Sequence, residues 1–416
     1  MRGKAIDTEP LKFNSSNNIE QRFPPAMDKR LFLLALGAFA VSTIAFVFAG
    51  LLPLIAVDTG VTVAQAGYLI SAYSLAYAIG TPILSALTGA MDRRLVIALA
   101  LVAFVIGNLA AALSAGFLPL FGAQVIIGMA GGLFSATAQA AAVSLAGPER
   151  RAAAIAVVVG GTTFALAFGA PAGSLLAHFV GWRGAFYGLA AVGALCLAAL
   201  WLRLPRDLTG SYASLGERLM VIRRPGIMAS VLVTLLYLTG GFTVLAYLGP
   251  IVIDGVGLAP EYLPAILLAY GIGAILGNYA SGRLADRLGA TRVVVGSMLV
   301  AALFALAFSA IMKFVPDNIA GPLLVAVIVP WGFIGWTFPP AQASRLVGFA
   351  PDVAPLSLAL NASAVYFGIG FGTLVGGRVL EFADVSDLGM IGAVFPLLAL
   401  IVLRAATRRQ RRVAPA

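Results

Sequence analysis

The stretch Ser281–Arg292, SGRLADRLGATR, places four charged residues and two glycines between two long apolar runs. About 20 consecutive apolar residues suffice to cross the hydrocarbon of a bilayer as a helix. A polar segment this short between two such runs reads as a charged hairpin joining antiparallel spans. A reduced copy, Thr88–Arg94 (TGAMDRR), lies in the first half of the chain. The same device used twice implies two related halves.

Composition agrees with spans. Of 416 residues, 61% are hydrophobic and 11% charged, against about 25% charged in a soluble domain. The mean hydropathy is +0.99. A chain this apolar cannot cover a water-facing surface with polar groups. The net charge of +10 is distributed between and beside the apolar runs. It therefore reads as a topology signal and not as a nucleic-acid surface. One cysteine, Cys196, excludes an intrachain disulfide, and one histidine, His178, excludes an HExxH zinc site. The sequence implies no cofactor, no metal and no catalytic constellation, so an enzyme is not expected. Gly271-Ile-Gly273-Ala-Ile-Leu-Gly277 has the outline of a dinucleotide fingerprint. It lies inside an apolar run, where glycines serve close helix packing.

Twelve spans fit the chain, at roughly 31–57, 66–87, 95–115, 118–146, 152–178, 184–202, 227–253, 261–282, 293–313, 320–343, 354–380 and 388–403. With a cytoplasmic amino terminus, all but three of the 27 Lys and Arg fall on the cytoplasmic side, the exceptions being Arg183, Lys313 and Arg378. That asymmetry predicts both termini inside. It also predicts five regions: a flexible tail (1–26), a six-helix bundle (27–202), a cytoplasmic linker (203–226), a second six-helix bundle (227–404) and a basic tail (405–416). The fold expected is all-α and integral to the membrane, with two pseudo-symmetric bundles. Repeated six-span halves are the mark of a transporter with a central site.

Four local motifs carry a resemblance over about residues 27–404. Gly282, Asp286, Arg287, Gly289 and Arg292 fit a Gly-x-x-x-Asp-Arg-x-Gly-x-x-Arg pattern; the first copy keeps Asp92 and Arg93 but has Thr88 for the leading glycine. Gly169-Ala-Pro171-Ala-Gly173 forms a second motif, with Gly181-Trp-Arg183 beyond it. Gln124-Val-Ile-Ile-Gly128 has glutamine where an arginine is usual. Ala49-Gly50-Leu-Leu-Pro53 follows Ser42–Val47, which has Ala45 where an acid is usual. The chain thus resembles the major facilitator superfamily, in particular its twelve-span drug/proton antiporters of the arabinose-efflux-permease-like branch. The resemblance implies the major facilitator fold, alternating access, and gating by Asp92, Arg93, Gly169, Pro171, Gly173, Gly282, Asp286, Arg287, Gly289 and Arg292. It also implies proton antiport.

The residues themselves do not show coupling, because all 17 acidic residues map to tails, loops or span ends. Polar and aromatic residues within spans are the candidates for a substrate-binding cavity: Thr43, Phe46, Gln139, Tyr237, Thr243, Asn278, Trp331, Trp336, Gln342, Asn361 and Tyr366. A buried amide without a partner is costly, which singles out Gln139 and Asn361. Such a cavity suits a small uncharged solute. The expected function is export of small organic compounds, drug-like, sugar-like or metabolite, across a plasma or bacterial inner membrane. The partners are then the solute, protons as coupling ion, and the bilayer. An uncoupled facilitator or importer is the alternative, and a non-transporting membrane sensor a more distant one.

Overall fold

In the computed structural model, residues 28–146, 150–206, 208, 216, 220, 221 and 224–413 are described. The tail 1–26, most of linker 203–226 and the last three residues lie outside them. Among the described residues, twelve helices are long and apolar enough to cross a membrane. They are α1 (Arg30–Thr59), α2 (Val63–Leu87), α3 (Arg93–Ala112), α4 (Phe117–Ala146), α5, α6 (Trp182–Arg203), α7 (Pro225–Leu245), α8 (Leu263–Leu288), α9 (Ala290–Phe314), α10 (Asp317–Phe349), α11 (Ala354–Phe382) and α12 (Leu388–Val413). Helix α5 is built of Arg151–Phe164, a π turn Ala165–Gly169 and Ala170–Val180. Helices α1 to α6 pack chiefly on one another, as do α7 to α12; α2 on α11 and α5 on α8 join the two sets.

The π turn follows from Pro171. Its ring has no N–H and crowds the carbonyl of Ala167, four residues back. The helix widens there, and the Ala170 amide donates to Ala165 O instead. Gly169 and Gly173 then face Thr43 and Val47 of α1 so closely that a side chain at either glycine would collide with them.

Two sequence expectations are corrected. Ser281–Arg292 is not a loop: α8 continues to Leu288 and α9 starts at Ala290. Leu284, Ala285 and Leu288 favour helix, and only Gly289, at φ 87°, makes the turn. Gly282, Asp286 and Arg287 therefore sit on the last two turns of α8, and Arg292 on the first turn of α9. The first-half copy differs in kind, because Asp92 is the N-cap of α3 and accepts from the Arg94 amide at 2.8 Å. The seventh span is also shorter than expected. Helix α7 ends at Leu245, and Leu248–Pro250 and a π turn, Ile251–Gly255, follow it. Pro250 again removes a helical donor.

The helix ends carrying Arg93, Arg94, Arg283, Arg287, Arg292 and Arg345 share one face, here called the basic end. The opposite end holds compact ion pairs: Asp58–Arg183 at 2.6 Å, Arg378–Glu381 at 2.7 Å, and Lys313–Asp387. At the basic end Arg224 pairs with Asp352 at 2.7 Å. This hydrogen bond holds the Asp352 carboxyl below its usual range. Its stabilising effect is complete above the ordinary carboxylate pKa and fades as pH falls through the lowered value.

Candidate functional site

Contacts between the two helix sets begin at the end opposite the basic one. Tyr68 of α2 donates to Glu381 of α11 at 2.7 Å, and Glu381 also accepts from Arg378. Deeper in, Ser71 donates to Gly370 O at 3.0 Å, and Tyr77 stacks on Tyr366 with centroids 3.5 Å apart. On the other side of the molecule Gly271 of α8 abuts Ala167 in the π turn. Asn278 of α8 donates to Thr163 of α5 at 3.1 Å. Asn278 and Tyr77 each stand ten residues from their helix's basic end, about 15 Å of helix. Beyond that level, among the described residues, no hydrogen bond, ion pair or ring contact joins the sets.

Between these two contact lines stands Phe46 of α1. Its ring lies 6.2 Å from Phe242 and 6.0 Å, edge-on, from Trp336. Phe242 and Trp336 belong to the wall of a cavity of about 50 Å³ inside the second helix set, with Tyr237, Tyr270 and Trp331 as its other rings. Gly241 and Gly335 face open space at the wall, whereas Gly240 and Gly392 let α7 and α12 approach each other; no ionisable acid or base lines the cavity. Tyr237 donates to Gly335 O at 3.2 Å, and Trp336 Nε1 donates to Tyr270 Oη at 3.1 Å.

The expected substrate-binding residues divide into three groups. Tyr237, Trp331 and Trp336 line the cavity, and Phe46 stands against its wall. Asn278 and Tyr366 lie in the contacts between the helix sets, and Thr43 packs on Gly169 of the π turn. Thr243, Gln342 and Asn361 bond between helices and are not part of the cavity lining. Thr243 donates to Thr239 O and Gly372 O. Gln342 donates to Ser230 O and Thr234, and accepts from Arg345. Thr234 donates to Asn361 at 2.6 Å. Gln139 is half-buried on α4, away from this cluster. Asn361→Leu is expected to lower the thermal midpoint by removing the bond between α7 and α11, which leaves the Thr234 hydroxyl only the longer bond to Ser230 O, at a cost of about 1 kcal/mol. Solute binding should be unchanged in that variant, as a titration would show.

Composition alone missed Phe242 and Tyr270, which read as ordinary apolar residues. A signal existed for Tyr270. It opens the glycine run whose Gly273 and Gly277 abut the carbonyls of Val329 and Phe333 on α10. That close approach brings Tyr270 to Trp331 (centroids 4.8 Å) and Trp336.

The gating residues are equally uneven. Arg93 is buried, and its amide donates to Leu208 O at 3.2 Å. Asp286 and Arg287 are exposed on α8, and Asp286 has no bonded partner among the described residues. Asp286→Asn is therefore expected to leave the thermal midpoint unchanged while slowing transport severalfold. A shifted midpoint with normal turnover would make Asp286 a structural residue only.

Twelve apolar helices in two packed sets define a multi-pass membrane protein. Residues 34–373 match the family described as Major Facilitator Superfamily, and the chain belongs to it: it is a major facilitator transporter, not an enzyme. Over 372 residues it is 29% identical to the uncharacterized MFS-type transporter YbcL of Bacillus subtilis, covering 89% of this chain and 94% of that one. Over 381 residues it is 29% identical to the inner membrane transport protein YdhP of Escherichia coli, covering 91% and 96%. Among solved structures, a D-xylose–proton symporter superposes with a TM-score of 0.73 at 15% identity, covering 90% of this chain and 96% of that one. A bacterial homologue of the human lysosomal transporter Spinster, inward-facing and occupied, gives 0.69 at 18% identity, covering 92% and 98%.

Proposed function

We propose that this transporter exports small organic solutes across the bacterial inner membrane by alternating access, in exchange for protons. The observation that carries the reading is the one-sided closure. Among the described residues, polar and aromatic contacts join the helix sets at the end opposite the basic one and reach to about 15 Å from the basic end. By the positive-inside rule the basic end is cytoplasmic, with both termini on that side. The conformation is then closed outward and open inward. Rocking the two sets would exchange the closed end. The similarity to an inner membrane transport protein supports the location. The motif Gly169–Gly173, which bends α5 against α1 and α8, supports export.

Antiport is tested with the protein in vesicles. A proton gradient with the acid side in the lumen, so that protons leave as solute enters, should accelerate uptake severalfold. The second reading, an uncoupled facilitator, is favoured by the placement of every acidic residue in a tail, a loop or a span end. Uptake that ignores the gradient would establish it and remove antiport.

A cross-set hydrogen bond closes the outer rim in this account. Tyr68→Phe and Glu381→Leu should each shift the equilibrium toward outward opening by a similar factor, about fivefold. The double variant should add little, because both remove one bond. Additive effects, measured by accessibility of a cysteine placed at Ser71, would mean the two residues act separately.

A further inference from the structure

We propose that the cavity inside the second helix set is the solute site, and that it takes an uncharged aromatic ring carrying one hydrogen-bond acceptor. In this conformation the ring of Phe46 holds the mouth of that site. The proposal rests on the transport reading but is argued from a separate observation, the chemistry of the cavity wall.

At about 50 Å³ the cavity accommodates water but not an organic ring. Phe46 fills the adjoining space, edge-on to Trp336 and tilted on Phe242. These are the offset geometries that aromatic rings prefer. The protein's own phenyl group thus displays what the wall recognises. Phe46 belongs to the first helix set and the cavity wall to the second, so a rocking motion that separates them withdraws the ring. Solute entry and the change of state are then one event: a ring bound in place of Phe46 favours the separated arrangement.

The charge of the solute follows from the wall. No acidic or basic side chain lines it, and an unpaired ion moved into such a site loses its hydration without return. Ring faces can attract cations, but one face of Tyr237 is covered by Phe338 (centroids 3.8 Å, 14° between planes). Trp331 is flanked by Phe308 and Tyr270, each at 4.8 Å. The polar atom follows from hydrogen-bond bookkeeping. Tyr237 spends its hydrogen on Gly335 O, and Trp336 spends its own on Tyr270 Oη. The Tyr270 hydroxyl hydrogen has no acceptor among the described residues, which leaves one donor for the solute.

Tryptophan fluorescence of the purified full chain tests this, because two of its four tryptophans are in the wall. The probes are 4-nitroanisole (uncharged), 4-nitrobenzyltrimethylammonium (cation) and 4-nitrobenzenesulfonate (anion), whose nitro groups quench on contact. Saturable quenching is expected with 4-nitroanisole only. Phe46→Ala should tighten its binding at least fivefold by vacating the mouth. Tyr270→Phe, which keeps the ring and the packing, should weaken it about fivefold. Partitioning into detergent would respond to neither substitution. Linear quenching by every probe, equal saturation by the cation, or indifference to both substitutions would overturn the proposal. Its failure is separable from that of the transport reading: gradient-driven uptake unaffected by Phe46→Ala and Tyr270→Phe would sink this site and leave transport standing.

Discussion

Gly271→Val is expected to abolish solute uptake and also to lower the thermal midpoint by several degrees. A Cβ at Gly271 would fall on the Ala167 backbone inside the π turn of α5. Backbone cannot rotate aside as a side chain can, so α8 and α5 must separate. Inserting bulk into a packed site costs about 1–3 kcal/mol. The contact lies between Gly50, beside Leu267 of α8, and the Asn278–Thr163 bond. That position, midway along the line where the two sets meet, suits a pivot used in every state. Uptake assays and thermal unfolding in detergent check it together. Loss of uptake with an unchanged midpoint would place the contact in one state only.

Gly67→Val is expected to have an equally large effect on uptake with little effect on stability. Gly67 of α2 faces the hydroxyl of Tyr247, which is fully buried and donates to Thr373 O at 2.8 Å. Gly376 and Gly377 of α11 form the other side of the trough that holds this ring. A valine would displace the hydroxyl and break its bond. Overpacking and a lost buried hydrogen bond together cost about 2–4 kcal/mol. At 1.4 kcal/mol per decade this is a shift of about 30-fold or more against the closed outer end. Each helix set keeps its own packing, so the folded protein should survive. Uptake within twofold of the parent would show that Gly67 does not govern closure.

The difference between these glycines was not visible in the sequence, although the helices were. Hydropathy and the arginine pattern were enough for twelve spans, because bilayer thickness and positive charge act on local composition. Proline effects act locally as well: Pro171 lacks a helical donor whatever its surroundings, and a π turn stands there. Ser281–Leu288 misled because charge reads as loop, whereas a helix can continue past the apolar layer with arginines on its last turns. The cavity was half legible. Tyr237, Trp331 and Trp336 could be named as aromatic residues in spans. Phe242 and Tyr270 depended on which helix faces meet, which is decided by glycines far away in the chain. Thr243, Gln342 and Asn361 looked like site residues for the reason that makes them packing residues: a polar group in a span needs a partner, and neighbouring helices supply it. Glu381 shows the converse. Arg378 lies one turn away on the same helix, and only the fold adds Tyr68 from the other helix set.

The central claim is that the two helix sets exchange closure between their ends. Its most direct test is pulsed electron resonance on the full chain in lipid, with Cys196 replaced by serine. One labelled pair, Val57 and Ala383, spans the closed end, and another, Leu87 and Phe349, spans the basic end. Two distances are expected for each pair, with Gly67→Val lengthening the first pair's distribution and shortening the second's. A single distance at each end, the same in parent and variant, would contradict the claim.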